Sequence, residues 1–251
     1  MLVTGSASSV AVADWNGDGL LDLIVGDIQG HVSVYLNEGT KKQYAFGKPI
    51  QLKANGKPIQ VPHGDAGPCV ADWDGDGLLD LIVGCGDGSV IFYRNSGTPK
   101  EPKLDEGQVL IPAGHIEYDG EKIPKTPTRG VRAKVCVVDY NGDGLPDLLV
   151  GDLSNQKPNK PEPTPEQKKK QAEAKKEMEK LQGEYGQFVQ KIIGPNRVKD
   201  KDEAKKISEQ LNKVREKLME AQKESGAEYE THGWVWLFVR QREPKTRAEV
   251  R

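Results

Sequence analysis

The chain is short of several things, and each shortage removes a class of protein. Its 251 residues include only three cysteines, too few for a disulfide-stapled scaffold. Four histidines, His31, His63, His115 and His232, share no metal-ligand spacing, and neither a Gly-x-Ser-x-Gly nor a phosphate-loop pattern occurs. No apolar run approaches the ~18–20 residues of a bilayer span, and Met1-Leu2-Val3-Thr4-Gly5 lacks the charged-then-apolar order of an export signal. With 36 basic and 38 acidic residues the formal charge is −2, so the whole surface exerts no net pull on nucleic acid or anionic lipid. Hydrophobic residues make up 35% and aromatics 6%, lean for one or two domains, whereas 28 glycines and 16 prolines call for many turns.

What the chain has is repetition. Asp14-Trp15-Asn16-Gly17-Asp18-Gly19-Leu20-Leu21-Asp22-Leu23-Ile24-Val25-Gly26 returns from Asp72 to Gly84 with twelve identities and from Asp139 to Gly151 with ten. The spacings, 58 and 67 residues, leave room for about four short strands per repeat. Ahead of each phrase stands a short apolar stretch, Val10–Ala13, Pro68–Ala71 and Val135–Val138, expected to be a buried first strand. The end of the phrase is a second strand. Gly30-His31-Val32-Ser33-Val34-Tyr35 and Gly88-Ser89-Val90-Ile91-Phe92-Tyr93 are the third, and weaker fourth strands lie near Ile50–Leu52 and Val109–Ile111. Asn55-Gly56 and Asp119-Gly120 carry hairpin-turn chemistry.

The third copy is interrupted. Three residues separate Gly26 from Gly30, but 81 separate Gly151 from Gly233, where the third strand resumes as Gly233-Trp234-Val235-Trp236-Leu237-Phe238-Val239. The insertion opens with a solvated Pro/Lys/Glu linker. Thr164-Pro165-Glu166-Gln167 then supplies an N-cap, a proline at the first helical position and a capping-box partner. Ala174, Met178, Leu181, Tyr185, Phe188 and Ile192 form a heptad seam; after the breaker Gly194-Pro195-Asn196, a second runs through Ala204, Ile207, Leu211, Val214, Leu218 and Ala221. The pattern predicts an antiparallel, coiled-coil-like helical hairpin with helices over about 165–193 and 201–224. The expected division is therefore 1–153, the inserted 154–232, and 233–251 as the returning third strand with a polar tail.

Within each phrase, oxygen-bearing side chains occupy positions one, three, five and nine: Asp14, Asn16, Asp18 and Asp22; Asp72, Asp74, Asp76 and Asp80; Asp139, Asn141, Asp143 and Asp147. So many carboxylates in short turns repel one another unless a cation sits between them. Oxygen-only donors suit a hard ion, and the adaptable coordination of Ca²⁺ suits such a loop better than the strict octahedron of Mg²⁺. The carbonyls of Leu20, Leu78 and Leu145 at position seven are expected as further ligands, and the glycines at positions four and six permit the tight wrap. An EF-hand needs a glutamate at position twelve and flanking helices; here that position is Val25, Val83 or Val150 amid strand-like residues. The loop at Asp72, with four carboxylates against three, is expected to bind most tightly. The insertion from Thr164 to Gly226 carries 16 basic and 12 acidic residues, which leaves the repeats at −6, the charge that three Ca²⁺ would cancel.

The phrase, taken with its flanking strands, resembles the FG-GAP/VCBS repeat of integrin-α-like proteins over about 1–153 and 233–240. The resemblance implies a mainly β fold of three four-stranded β-propeller blades carrying the inserted helical hairpin. Each aspartate loop would join a blade's first two strands and hold one structural Ca²⁺, three at most. Three blades do not close a propeller of ~4–8, so the chain is expected to belong to a longer one or to be completed by a second copy; the longer chain is preferred, because open edges invite aggregation. The implied role is extracellular, cell-surface or periplasmic recognition, adhesion or scaffolding of a protein or glycan ligand on the propeller face. The hairpin would be a docking or self-association arm, and neither nucleic acid nor a catalytic reaction is expected. The alternatives are a lectin using Trp15, Trp73 and Tyr140 and a polysaccharide-acting enzyme using His63, Asp65 or His115. Cys69 and Cys136, at the strand position of Ala11, are expected to be small buried packing residues, and Trp234, Trp236 and Phe238 to pack against the base of the hairpin.

Overall fold

The structure, a computed structural model, describes residues 6, 8–119, 122–159, 161, 163–194, 198, 200–226 and 229–241. The chain divides into two units, Met1–Gln156 with Thr231–Arg251, and Lys157–Glu230. Gly120, Pro195, Asn196 and the polar tail beyond Gln241, which carry three of the sequence expectations, lie outside the described residues.

In the first unit, β1 (Ser9–Ala13), β2 (Asp22–Gly26), β3 (Val32–Tyr35) and β4 (Ile50–Gln51) form one sheet in that order. A ribbon of β5 (Lys53–Ala54) and β6 (Lys57–Pro58) follows, turned by Asn55 and Gly56 at φ of 49° and 77°, as a two-residue hairpin requires. The second sheet holds β7 (Gly67–Ala71), β8 (Asp80–Gly84), β9 (Val90–Tyr93) and β10 (Gln108–Ile111); the third holds β11 (Val131–Val138), β12 (Asp147–Gln156) and β13 (Glu230–Phe238). Registers repeat position by position: Ala11 faces Ile24, Cys69 faces Ile82 and Cys136 faces Leu149. β12 and β13 extend past the phrase, and Thr231 Oγ1 donates to Asn155 Oδ1 at 2.8 Å across them.

Successive residues of a strand point to opposite faces, so a strand covered on both sides is apolar throughout. β8 is such a strand. Leu81 and Val83, with Ile91 and Tyr93, pack on Trp15, Ile24, Val32 and Val34 of the first sheet. Ile82, with Trp73, Val90 and Phe92, packs on Ala133, Leu148 and Val150 of the third. The first strands of neighbouring sheets lie together, β7 touching β1 on one side and β11 on the other.

Three expectations need correction. β1 is not wholly buried, since Val10 and Val12 are 53% and 57% exposed on a face that no sheet covers among the described residues. Cys136 is exposed and Cys69 only half-buried, so the first is no packing residue. Phe238 packs on the core between the second and third sheets, and Trp234 and Trp236 on the same strand face are half-buried.

The second unit contains α1 (Pro165–Ile193) and α2 (Lys201–Glu224). Thr164 and Gln167 close a capping box on α1, and Asp200 caps α2 by accepting from Glu203 N at 2.8 Å. Leu181, Val214 and Ala221 are buried, with Met178, Tyr185, Phe188 and Leu218 packed around them. Gly226, just past α2, lies against Gln171 near the start of α1, so the helices run antiparallel.

Candidate metal centres

Each aspartate phrase folds into one loop between the first and second strands of its sheet. Two glycines with positive φ make the wrap possible: Gly17 and Gly19 at 64° and 85°, Gly75 and Gly77 at 79° and 87°, Gly142 and Gly144 at 73° and 84°. Backbone N–H groups then converge on the first carboxylate. Asp14 accepts from Asp18 N at 3.0 Å and Gly19 N at 2.9 Å. Asp72 accepts from Gly75, Asp76 and Gly77, and Asp139 from Gly142, Asp143 and Gly144, all between 2.8 and 3.1 Å. The fifth position closes the loop by accepting the N–H of Leu20, Leu78 or Leu145 on Asp18, Asp76 or Asp143 at 2.8–2.9 Å.

Position nine has a part that the spacing alone did not show. Asp22, Asp80 and Asp147 are fully buried, and each accepts two backbone N–H bonds from distant points. One comes from position two of the loop, Trp15, Trp73 or Tyr140, at 2.9–3.0 Å. The other comes from the residue ending the third strand region, Asn37, Asn95 or Arg240, at 2.7–2.8 Å. The ninth carboxylate therefore latches loop, second strand and third strand together, and each oxygen retains a lone pair for a further partner.

One carboxylate oxygen each of Asp72, Asp74 and Asp80 lies within 4.8 Å of the others. Burial chiefly, helped by the nearby Asp74 and Asp76 charges, pushes the Asp80 carboxyl above the usual range despite the N–H bonds it accepts. In the first and third loops Asn16 and Asn141 replace one carboxylate and donate to Asp18 and Asp143 at 3.0 Å. A cationic group already touches the second loop: Arg94 donates from Nε to Asp74 at 2.6 Å and from a terminal nitrogen to Asp76 at 3.0 Å. Position in sequence gives no hint of this, because Arg94 lies 18 and 20 residues away and the matching residue of the first repeat is Leu36. The donor set, oxygen-only and with a guanidinium drawn to it, fits a hard cation.

The aromatics proposed for sugar stacking do not share one surface. Trp15 and Trp73 are buried between sheets, and Tyr140 is 63% exposed. His63 and His115 are exposed, while Asp65 is buried and held by Arg132 and Lys134. Cys85, at the turn position of Asp27 and Asp152, is fully buried, and burial pushes its thiol up to about 11.

Comparison with known proteins agrees with the repeat pattern. A family model for the FG-GAP-like repeat matches residues 14–83 and 72–150. Integrin alpha-7 of Homo sapiens is 33% identical over 169 residues, covering 61% of this chain and 13% of that protein. Integrin alpha-6 of Gallus gallus is 34% identical over 170 residues, covering 60% and 14%. Cartilage acidic protein 1 of Homo sapiens is 27% identical over 151 residues, covering 56% and 19%. The chain thus spans under a fifth of the length of these relatives. Three loops with one hydrogen-bond frame, strands in one register and a family match across both junctions place this chain in the FG-GAP-like repeat family.

Proposed function

We propose that the chain is a calcium-stabilised arc of β-propeller blades serving recognition, adhesion or scaffolding outside the cytosol. The observation that carries this reading is the threefold loop frame, in which backbone N–H groups hold oxygen donors at fixed positions beside a buried carboxylate latch. Asp14, Asn16, Asp18, Asp22 and the Leu20 carbonyl would hold one Ca²⁺. Asp72, Asp74, Asp76, Asp80 and Leu78, and Asp139, Asn141, Asp143, Asp147 and Leu145, would hold the others. The ion supplies charge neutralisation, tying the loop to the latch that joins two strands. Extracellular calcium modules bind at ~10⁻⁴–10⁻³ M, so such sites fill outside cells and stay empty in the cytosol.

The match to integrin alpha chains supports a binding module over an enzyme. The inserted hairpin, with charged outer faces on a buried seam, is a docking arm in this reading. Titration calorimetry of the full chain with CaCl₂ should approach three ions per chain, and chelation should lower the melting temperature by linkage. A flat titration together with identical melting in calcium and in excess EDTA would refute the calcium reading.

A further inference from the structure

Three asparagines of this chain precede a glycine: Asn16, Asn55 and Asn141. That dipeptide carries a reactivity of its own. The backbone nitrogen after an asparagine can attack the side-chain carbonyl carbon, and a following glycine has no side chain to obstruct the five-membered ring that forms. In a folded chain the ring closes only where the amide is at liberty to swing over the next peptide and that peptide is at liberty to turn.

The two loop asparagines lack that liberty. Asn16 Nδ2 donates to Asp18 Oδ2 at 3.0 Å while Asn16 Oδ1 accepts from Asp18 N at 3.3 Å. Pro99 O crowds the glycine that follows, at 2.9 Å from the place of a Cβ on Gly17. Asn141 is held at both ends of its amide by Asp143, each bond 3.0 Å long. Gly142 N, the atom that would attack, donates instead to Asp139 Oδ1 at 2.8 Å. Ring closure in either loop must first break these bonds.

Asn55 is under none of these restraints. It and Gly56 are exposed, and its side-chain amide makes no hydrogen bond among the described residues. Nothing lies within 4 Å of the place of a Cβ on Gly56. The main chain of the same turn is nevertheless a structural tie. Asn55 N donates to Leu104 O at 2.9 Å, Ala54 forms a bridge to Leu104, and Ile59 N donates to Leu52 O at 2.9 Å. Leu52, Ile59 and Leu104 are buried in the core that the first and second sheets share. The β5–β6 ribbon therefore fastens an exposed turn to a junction between sheets.

The geometry points to Asn55 as the deamidation site of the folded chain, and to the β5–β6 ribbon as the contact that its deamidation loosens. Gly56 N bonds to Asn55 Cγ, the Cγ–Nδ2 bond breaks, and the proton of Gly56 N ends on the departing ammonia. Water then opens the imide at either carbonyl, giving aspartate or isoaspartate with one added negative charge. In isoaspartate the main chain runs through the side-chain carbons and is one methylene longer. Ala54 pairs with Lys57 across a turn of two residues, both at positive φ, and such a turn cannot absorb the extra length while Asn55 N stays on Leu104 O. The inference does not depend on calcium in the loops.

The full chain, aged in warm, mildly alkaline buffer containing EDTA, is digested at intervals and its three Asn-Gly peptides are weighed. Asn55 should convert about tenfold faster than Asn16 and Asn141, because each loop asparagine must first give up hydrogen bonds to a charged neighbour. In urea the three should convert at similar rates. Equal rates in the folded chain, or the same ranking in urea, overturn the inference. The isoaspartyl form, separated by ion exchange, should melt about 2–4 °C below fresh chain, the shift expected for one lost backbone tie; unchanged melting overturns the part assigned to the ribbon. Asn55→Gly keeps a turn suited to positive φ and removes the reactive amide. That variant should age without gaining charge, and one that accumulates acidic species as fast as wild type overturns the assignment to Asn55.

Discussion

Arg94 donates to Asp74 at 2.6 Å, so the loop with the most carboxylates also has a cation of the protein's own resting on it. Those bonds hold the guanidinium charged, its pKa raised by Asp74 and then Asp76. The expectation that the Asp72 loop binds Ca²⁺ most tightly counts acids alone, and Arg94 offsets one of them. Arg94→Leu, copying Leu36 of the first repeat, should raise that loop's calcium affinity by about two- to fivefold, less at high salt because the pair is exposed. Calorimetry comparing the variant with wild type at two ionic strengths checks this; unchanged affinity would show that Arg94 does not compete.

Asp22 separates a structural part from a metal-binding one. Asp22→Ala leaves the N–H groups of Trp15 and Asn37 without their acceptor in a buried place, which should destabilise the fold by about 2–4 kcal/mol. That loss should persist in EDTA. Asp18→Ala, whose carboxylate is exposed, should have a small effect in EDTA and a large one on calcium binding. Urea unfolding in both conditions distinguishes them.

Glycines at equivalent positions should respond differently to alanine. Gly84→Ala drives a methyl group into the Ala133 carbonyl and should cost about 1–3 kcal/mol. Gly151→Ala has room and should leave the melting temperature of the single chain nearly unchanged. Thermal melts of the two variants at low protein concentration test the contrast.

Acid should weaken the junction between the second and third sheets. Burial raises the Asp65 carboxyl, but hydrogen bonds from Arg132 at 2.7 Å and Lys134 at 3.0 Å outweigh it and leave the pKa lowered. A carboxyl depressed in the folded state stabilises above its unfolded pKa, and that contribution disappears as pH falls below about 4 through the folded value. Because Arg132 and Lys134 are half-exposed, Asp65→Asn should cost only about 1–2 kcal/mol at pH 7. The difference from wild type should shrink as pH falls below about 4, and denaturant titrations at pH 7 and in acid measure it.

The local chemistry was legible because it is local. The Asp-x-Asn/Asp-x-Asp-Gly spacing with its glycines defines the loops, short apolar runs at repeated positions define the strands, and heptads define α1 and α2. The ninth aspartate showed its spacing but not its task, since the second N–H that it accepts comes from 15 residues away in the first two repeats and 93 in the third. Arg94 was silent for the same reason.

The order of residues alone settled which positions repeat, which turns carry carboxylates and where the helical insertion interrupts the third copy. Burial was decided only by the stacking of the sheets, because whether a strand face is core or surface depends on a neighbour that the strand does not encode. Thus Trp73 is covered and Tyr140 is open, and Val90 is core where Val235 faces outward, although each pair holds the same place in the same repeat.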